Sequence, residues 1–342
     1  MTPRQAGFRM PAEWETHDSV WLAWPSAADL WLEDLEPARE EFVAFCEAIA
    51  DGERLNILVP DLASGGIAET RLGHLPARIH LVPFGDIWLR DTAPVFLKNA
   101  SNELATLNFE FNGWGGKFDL AHDPEVAGRI SKIAGVRSFS IPWICEGGSL
   151  EVDGEGTCLT TRQCLLNENR NPGMNLMQVE NLIEESLGVE KVLWLGDGLL
   201  NDHTDGHVDT IARFVAPAHV AVHMPAGPRD PNRHVLEKIE EDLQTFTDAK
   251  GRRLRISRIP SPGEVLSDDG DLMPASYLNF YISNTTVVVP TYGSPNDVPA
   301  VAAIARLFPH RRTVGLPAKA ILTGGGAFHC ISQQQPIAGR VR

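Results

Sequence analysis

Five short segments of this 342-residue chain carry its reactive side chains. The segment GGGAFHC (residues 324–330) ends on Cys330, a nucleophile in its thiolate form. Its glycines, Gly325 and Gly326 among them, let backbone and a small molecule approach where any side chain would obstruct. GDIWLRDTAP (residues 85–94) packs Asp86, Trp88 and Asp91 into one loop, and FNGWGGKF (residues 111–118) sets Trp114 among glycines. EGGSLEVDGEG opens on Glu146, and NDHTDGHVD (residues 201–209) gathers Asp205, His207 and Asp209. Each segment alone also fits a structural role. Cys330 can be small core filler, Trp114 packed aromatic surface, Glu146 part of a turn, and Asp91 the partner of Arg90. Their joint occurrence at strand ends favours one shared site.

His203 and His207 are four residues apart and on a helix would share a face suited to zinc. Gly206, with Asp and Thr around it, argues against a helix there. A strand beginning at HVDTIARF instead puts His207 and Asp209 on one face by the two-residue period, without His203. A thiolate, an imidazole, a glutamate and two aspartates suit one electrophile in particular. A planar guanidinium offers N–H forks to two carboxylates, which also hold the positive charge that activates its central carbon. A thiolate can attack that carbon, whereas a hydroxyl would need a strong base. A histidine can protonate the departing ammonia and then deprotonate water, and a glutamate beside it orients the ring and favours imidazolium. These groups fit guanidine hydrolysis better than acyl transfer.

Positioning such groups requires a scaffold of strand ends. Strand-like runs alternate with helix-like ones. RLNILVP, ARIHLVPF, ATLNFEFN, VRSFSIPWI, KVLWLG, DTIARFVA, RRLRISRI and TTVVVPTYG read as strands. Five helices are predicted, over about 37–50, from 123 with Asp123 as N-cap and Pro124 first, over 175–188, over 231–249 and over 295–308. The third is framed by Asn175, Gln178 and a terminal Gly188. EVDGEGT, through Asp153-Gly154, and YISNTTV read as hairpins. Five helices between groups of short strands suggest a unit repeated around a circle, and the competing doubly wound sheet lacks a glycine-rich dinucleotide loop after its first strand.

Composition narrows the classes. With 43% hydrophobic and 22% charged residues the chain is an ordinary globular one, and its length suits either two domains or one closed repeat. A net charge of −15 argues against a nucleic-acid binder, which needs a basic patch, and is compatible with a cationic small substrate. No apolar run is long enough for a membrane span and no secretory h-region is visible. The five scattered cysteines, Cys46, Cys145, Cys158, Cys164 and Cys330, lack zinc-type pairing and suit a reducing cytoplasm.

The motifs resemble those of the agmatine deiminases, within the guanidine-modifying superfamily that includes arginine and peptidyl-arginine deiminases. MPAEWETHDSVWLAWP, WLRDTAPVF, FNGWGGKF, EGGSLEVDGEGTCLTTRQCLLNENRNPG, TDGHVDTIARFVAP, ASYLNFYISN and GGGAFHCISQQQP carry the resemblance in order along nearly the whole chain. It implies a single catalytic domain over 1–342 with the pentein fold, a five-bladed pseudosymmetric α/β propeller with the site on its axis. It implies hydrolysis of agmatine to N-carbamoylputrescine and ammonia without metal or organic cofactor. In the resemblance Cys330 forms the covalent amidino intermediate, His207, Glu146, Asp91 and Asp209 are the remaining catalytic residues, and Trp88 and Trp114 line the pocket. Asp86, Asp202 and Asp205 are candidates for the far amine, and a homo-oligomer is open. The sequence departs from the family pattern at His203, commonly acidic, at Ala327, commonly Asn, and at Ile87, often small and polar. The alternatives are a deiminase of another guanidine, a catalytically silent binding protein of the same fold, or a metallohydrolase.

Overall fold

The computed structural model describes residues 1–339. Its strands fall into five small sheets built on one plan. In three of them a short antiparallel pair is followed, through a helix, by a third strand lying parallel to the second. These are Glu151–Val152, Thr157–Thr161 and Lys191–Leu195; Ala212–Ala216, His219–Met224 and Arg255–Pro260; and Tyr281–Ile282, Thr286–Thr291 and Arg312–Pro317. A fourth sheet repeats the plan with Val95–Asn99, Leu104–Glu110 and Arg137–Ile144, and adds Phe8–Arg9 at its edge. The fifth takes its antiparallel strand, Gln333–Pro336, from the far end of the chain and pairs it with His17–Ala23, which runs parallel to Arg54–Val59, itself parallel to Ala77–Leu81. Both ends of the chain meet in one sheet, so the ring of five units closes. This is the five-bladed α/β architecture expected from the resemblance.

The parallel pairing in each unit needs a crossover, and an amphipathic helix supplies it. The predicted helices occupy Leu35–Ile49, Asp123–Ala134, Leu176–Leu187, Arg233–Thr245 and Asp297–Ala305. The third carries the full reciprocal cap between Asn175 and Gln178 and ends at Gly188 in the left-handed region. The second begins one residue early. His122 precedes it at φ 74°, and Asp123 turns its carboxylate away to accept the backbone N–H of Gly85 at 2.7 Å. A sixth helix, Leu62–Leu72, is not among the five predicted. Asp61 caps it through Ser64 N–H at 2.7 Å, and burial of Ala68 and Leu72 outweighs the low propensity of Gly65-Gly66. Both predicted hairpins form.

The strand expected from His207 starts only at Ala212. Val208–Thr210 is instead a single 3₁₀ turn, because ladder pairing begins with Ala212 opposite Val222. Asp202 Oδ2 and Thr204 Oγ1 accept the His207 N–H at 3.2 and 3.1 Å, which fixes the imidazole's approach through loop hydrogen bonds rather than through a pleat.

Candidate active site

The turn that enters the first antiparallel strand of each unit delivers one polar side chain to a common centre. Asp91 lies in the turn Leu89–Thr92, Glu146 just before Gly147–Ser149, and Asp209 in Val208–Thr210. Asn279 precedes Tyr281–Ile282, and Cys330 precedes Gln333–Pro336. The closed ring thus makes five sequence-distant turns into neighbours. His207, beside Asp209, is the sixth member. All six are buried.

Cys330 Sγ lies 3.1 Å from Asn279 Nδ2 and 3.6 Å from Asp209 Oδ2. Asn279 Oδ1 accepts the backbone N–H groups of Ala327 and Cys330 at 3.1 and 3.2 Å, so its amide nitrogen is left to face the sulfur. Asp91 Oδ1 accepts Gly148 N–H and Oδ2 accepts the Trp114 indole, both at 2.9 Å. The alternative pairing of Asp91 with Arg90 does not occur, since Arg90 turns inward to Gln333 at 3.0 Å and to the His329 carbonyl at 3.3 Å. His207 stands between two carboxylates, with Nδ1 3.8 Å from Asp91 and Nε2 3.8 Å from Glu146. Glu146 is tied by its other oxygen to Arg170 Nε at 2.6 Å. Gly148 is required where these groups converge. A Cβ there would lie 2.5 Å from His207 Nδ1, 3.0 Å from Asp91 Oδ1 and 3.1 Å from Asp209 Oδ2.

These contacts set the charges. Burial alone would discharge His207, but the Asp91 carboxylate, with Cys164 and Glu146, holds its pKa well above the usual histidine value. Burial opposes ionisation of Glu146 too, yet His207 and Arg170 keep it below the ordinary carboxylate range. Asp209 is likewise held low against burial, chiefly by His329 and then His207, whereas burial lifts Asp91. The Cys330 thiol is pushed well above its usual value by burial, then by the carboxylates of Asp209 and Asp91.

Above Cys330 and Asp91 opens a cavity of about 400 Å³. Trp31, Trp88, Trp114 and Phe118 wall it, Gly324, Gly325 and Gly326 form one side, and Glu33, Asp34, Asp269 and His203 stand at its lining as well. Among the described residues, lining carboxylates number five with Asp86 and Asp91, and no lysine or arginine lines it. Asp86 accepts the indole N–H of Trp31 at 2.9 Å and of Trp88 at 2.8 Å, locking two rings stacked 6.0 Å apart. The glycine run serves this packing: a Cβ at Gly324 would sit 2.6 Å from Trp88, and one at Gly326 would sit 2.7 Å from Trp88 and 3.0 Å from Cys330 Sγ. Trp114 holds a left-handed backbone, φ 54°, between the edges of Phe111 and Phe118.

The profile of the Porphyromonas-type peptidyl-arginine deiminases matches residues 9–336. The chain belongs to that family. A Yersinia pseudotuberculosis relative is 40% identical over 98% of both chains. The agmatine deiminase of Ectopseudomonas mendocina is 37% identical over 98% of this chain and 97% of its own. The structure of the agmatine deiminase of Enterococcus faecalis superposes with a TM-score of 0.92 at 36% identity, covering 98% of this chain and 97% of that one.

Within this deiminase family scaffold, the residues read from sequence are not all at the cavity. Asp205 is not part of its lining. Its carboxylate is consumed by Arg170 at 2.7 Å, Lys117 at 2.6 Å and Asn169 at 2.9 Å. His203 stands exposed at the lining with its ring 6.0 Å from Phe118, Ala327 is buried under Asn279, and Ile87 is core. His207, Glu146 and Asp209 lie behind the lining rather than in it. Asn279, Trp31, Arg170 and the mouth carboxylates Glu33, Asp34 and Asp269 escaped the sequence reading. The ASYLNFYISN motif contained Asn279, but a lone amide in an apolar run carries no chemical flag. Among the described residues Glu146, Cys164 and His207 bring potential metal-ligand atoms within 4.8 Å of one another, a set that excludes His203.

Proposed function

We propose that this protein is an agmatine deiminase, hydrolysing the guanidinium of agmatine to N-carbamoylputrescine and ammonia at Cys330, with the whole chain serving as one catalytic domain. The observation that carries this is a cavity ending on a thiol flanked by Asp91 and Asp209, with five carboxylates and, among the described residues, no lysine or arginine in its lining. Such a lining favours a dication. Arginine would bring an α-carboxylate with no cation to meet it, at a desolvation cost. The similarity to curated agmatine deiminases at 36–37% identity over whole chains supports the same reading.

In this reading the guanidinium donates N–H bonds to Asp91 and to Oδ1 of Asp209, which has no partner among the described residues. Its arrival offsets the charges that hold Cys330 protonated, so that the thiol proton is released to solvent. The thiolate then attacks the central carbon, forming a C–S bond. His207, as imidazolium, gives its proton to the departing nitrogen, which leaves as ammonia. Water attacks the resulting amidino-cysteine, His207 takes a proton from that water, and cleavage of the C–S bond returns the thiolate and releases the ureido product. Glu146, anchored by Arg170, keeps the imidazole charged and oriented, and Asn279 donates to the sulfur. The five unpaired cysteines among the described residues suit a reducing compartment, for which the cytoplasm is our reading. Release of ammonia from agmatine, with arginine turned over far more slowly, tests the substrate. Mass spectrometry of quenched enzyme should find the amidino adduct on Cys330, and Cys330→Ser should abolish turnover while remaining folded. An adduct on Cys46, Cys145, Cys158 or Cys164 would refute the assignment.

A further inference from the structure

One buried ionisable side chain next to the nucleophile has no part in that chemistry. His329 is 2% exposed, and both ring nitrogens meet carboxylates. Nδ1 lies 2.7 Å from Asp209 Oδ2 and Nε2 lies 2.8 Å from Glu13 Oε2. Ionised carboxylates only accept, so the ring satisfies both by donating from both nitrogens. Glu13 is itself fixed, accepting Arg213 NH2 at 2.6 Å and the Ile282 backbone N–H at 2.7 Å. Arg213 bonds Glu151 at 2.9 Å and the carbonyls of Leu278 and Phe280 at 3.0 and 2.8 Å. Glu13, Glu151 and Asp209 thus share Arg90, Arg213 and the His329 ring as buried partners. With Oδ2 of Asp209 occupied, Oδ1 remains buried and without any partner among the described residues.

We propose that His329 is a positioning residue that pins the Asp209 carboxylate through Oδ2 so that Oδ1 is left to bind a guanidinium or amidinium N–H. The anchor of the clamp is therefore Glu13, in the segment that precedes the first long strand, and the clamp is held from the N-terminal region of the chain. This rests on the guanidine-hydrolysis reading for its meaning, yet it can be tested without agmatine turnover. The rate of Cys330 inactivation by 2-chloroacetamidine, a cation, is divided by the rate with neutral 2-chloroacetamide of the same shape. That ratio measures the clamp.

Two substitutions at the one position separate the two contacts. Asparagine places its amide nitrogen near Nδ1 and keeps the donor toward Asp209, whereas glutamine places it near Nε2 and keeps only the donor toward Glu13. His329→Gln should lower the amidinium preference by roughly 10- to 150-fold, the range of one charge-assisted hydrogen bond. His329→Asn should retain a preference at least tenfold above that of His329→Gln, and kcat/KM for agmatine should follow the same order. Equal ratios in the two variants, or losses that track Tm instead of the retained donor, would overturn the proposal. So would a His329→Gln protein that fails to fold beside a folded His329→Asn, or failure of both to fold, since the contact would then hold the core. A wild-type protein that shows the amidinium preference without hydrolysing agmatine would refute the substrate and leave the role of His329 standing.

Discussion

Asp209→Asn should move two reactions of Cys330 in opposite directions. The site can accept the change. The substituted side chain can turn its amide oxygen to His329, which keeps the 2.7 Å bond, and put its NH₂ where Oδ1 of the native aspartate has no partner among the described residues. The substitution then has two consequences. A guanidinium meets an N–H donor where it met a carboxylate oxygen, so agmatine turnover loses a charge-assisted bond and should fall by roughly 10- to 150-fold or more. The sulfur, in contrast, loses a negative charge 3.6 Å away. At an effective dielectric constant of about 20, that repulsion is worth about 4–5 kcal/mol. His329 and Arg213 already offset part of it. A thiolate of lower basicity is also a poorer nucleophile, which takes back about half of the logarithmic gain.

What remains is an increase of about tenfold in alkylation by neutral iodoacetamide at about pH 8, measured by stopped aliquots and peptide mass. The four other cysteines are buried, and peptide mass assigns the readout to Cys330. If Asp209→Asn alkylates no faster than wild type, the carboxylate does not govern the thiol and the electrostatic account fails. If agmatine turnover stays within about threefold of wild type, Asp209 is not part of the clamp.

His203→Asp should lower KM for agmatine by roughly two- to fivefold, the worth of an exposed charge pair, and leave guanidines without a far amine unaffected. An unchanged KM would separate position 203 from the amine. Activity should survive EDTA, because the thiol supplies the nucleophile. Loss of activity restored by zinc would place a metal at Glu146, Cys164 and His207. Burial raises the carboxyl of Asp123 to about 7, above the ordinary unfolded value near 4, so the folded protein binds that proton more tightly. The stability it contributes is complete below about pH 4 and is lost as pH rises through about 7. Asp123→Asn, which keeps an acceptor for Gly85 N–H and cannot ionise, should gain more Tm over wild type at about pH 8.5 than at about pH 5; a difference independent of pH would contradict this.

What the sequence made legible was local. The cap of Asn175 and Gln178, the Asp153-Gly154 hairpin and the five crossover helices are all decided within a few residues, and each forms, although Asp123 does not cap the second helix. Asp209 came to the right neighbourhood by the wrong route, through a 3₁₀ turn instead of a strand, because ladder register depends on a partner strand that periodicity cannot see. The network behind the site was illegible for the same reason. His329 reaches back to Glu13, Arg213 to Glu13 and Arg170 to Asp205, and only the tertiary fold makes them neighbours. Asp205 shows the converse error. In sequence it looks free to bind a cation, and in the fold two cations and an amide already hold it.

The arrangement of sign explains how one site can hold a nucleophile and spare it. Arg90, Arg170 and Arg213 are buried and all lie behind the carboxylates, contacting Glu13, Glu146, Asp205 and Glu151 from the side away from the cavity. Toward the sulfur the site presents the carboxylates of Asp91 and Asp209 and the amide of Asn279, and none of these three arginines lines the cavity. The thiol next to Asp91 and Asp209 is therefore kept protonated while the site is empty, and protonated sulfur is slow toward oxidants and neutral electrophiles. In the proposed mechanism a cation bound between the two carboxylates reverses that bias, and a planar one places its carbon where the sulfur can attack. Selectivity and activation in that mechanism thus come from the same two charges. A neutral urea of identical shape would receive neither, so in the proposed mechanism the ureido product should not be attacked again.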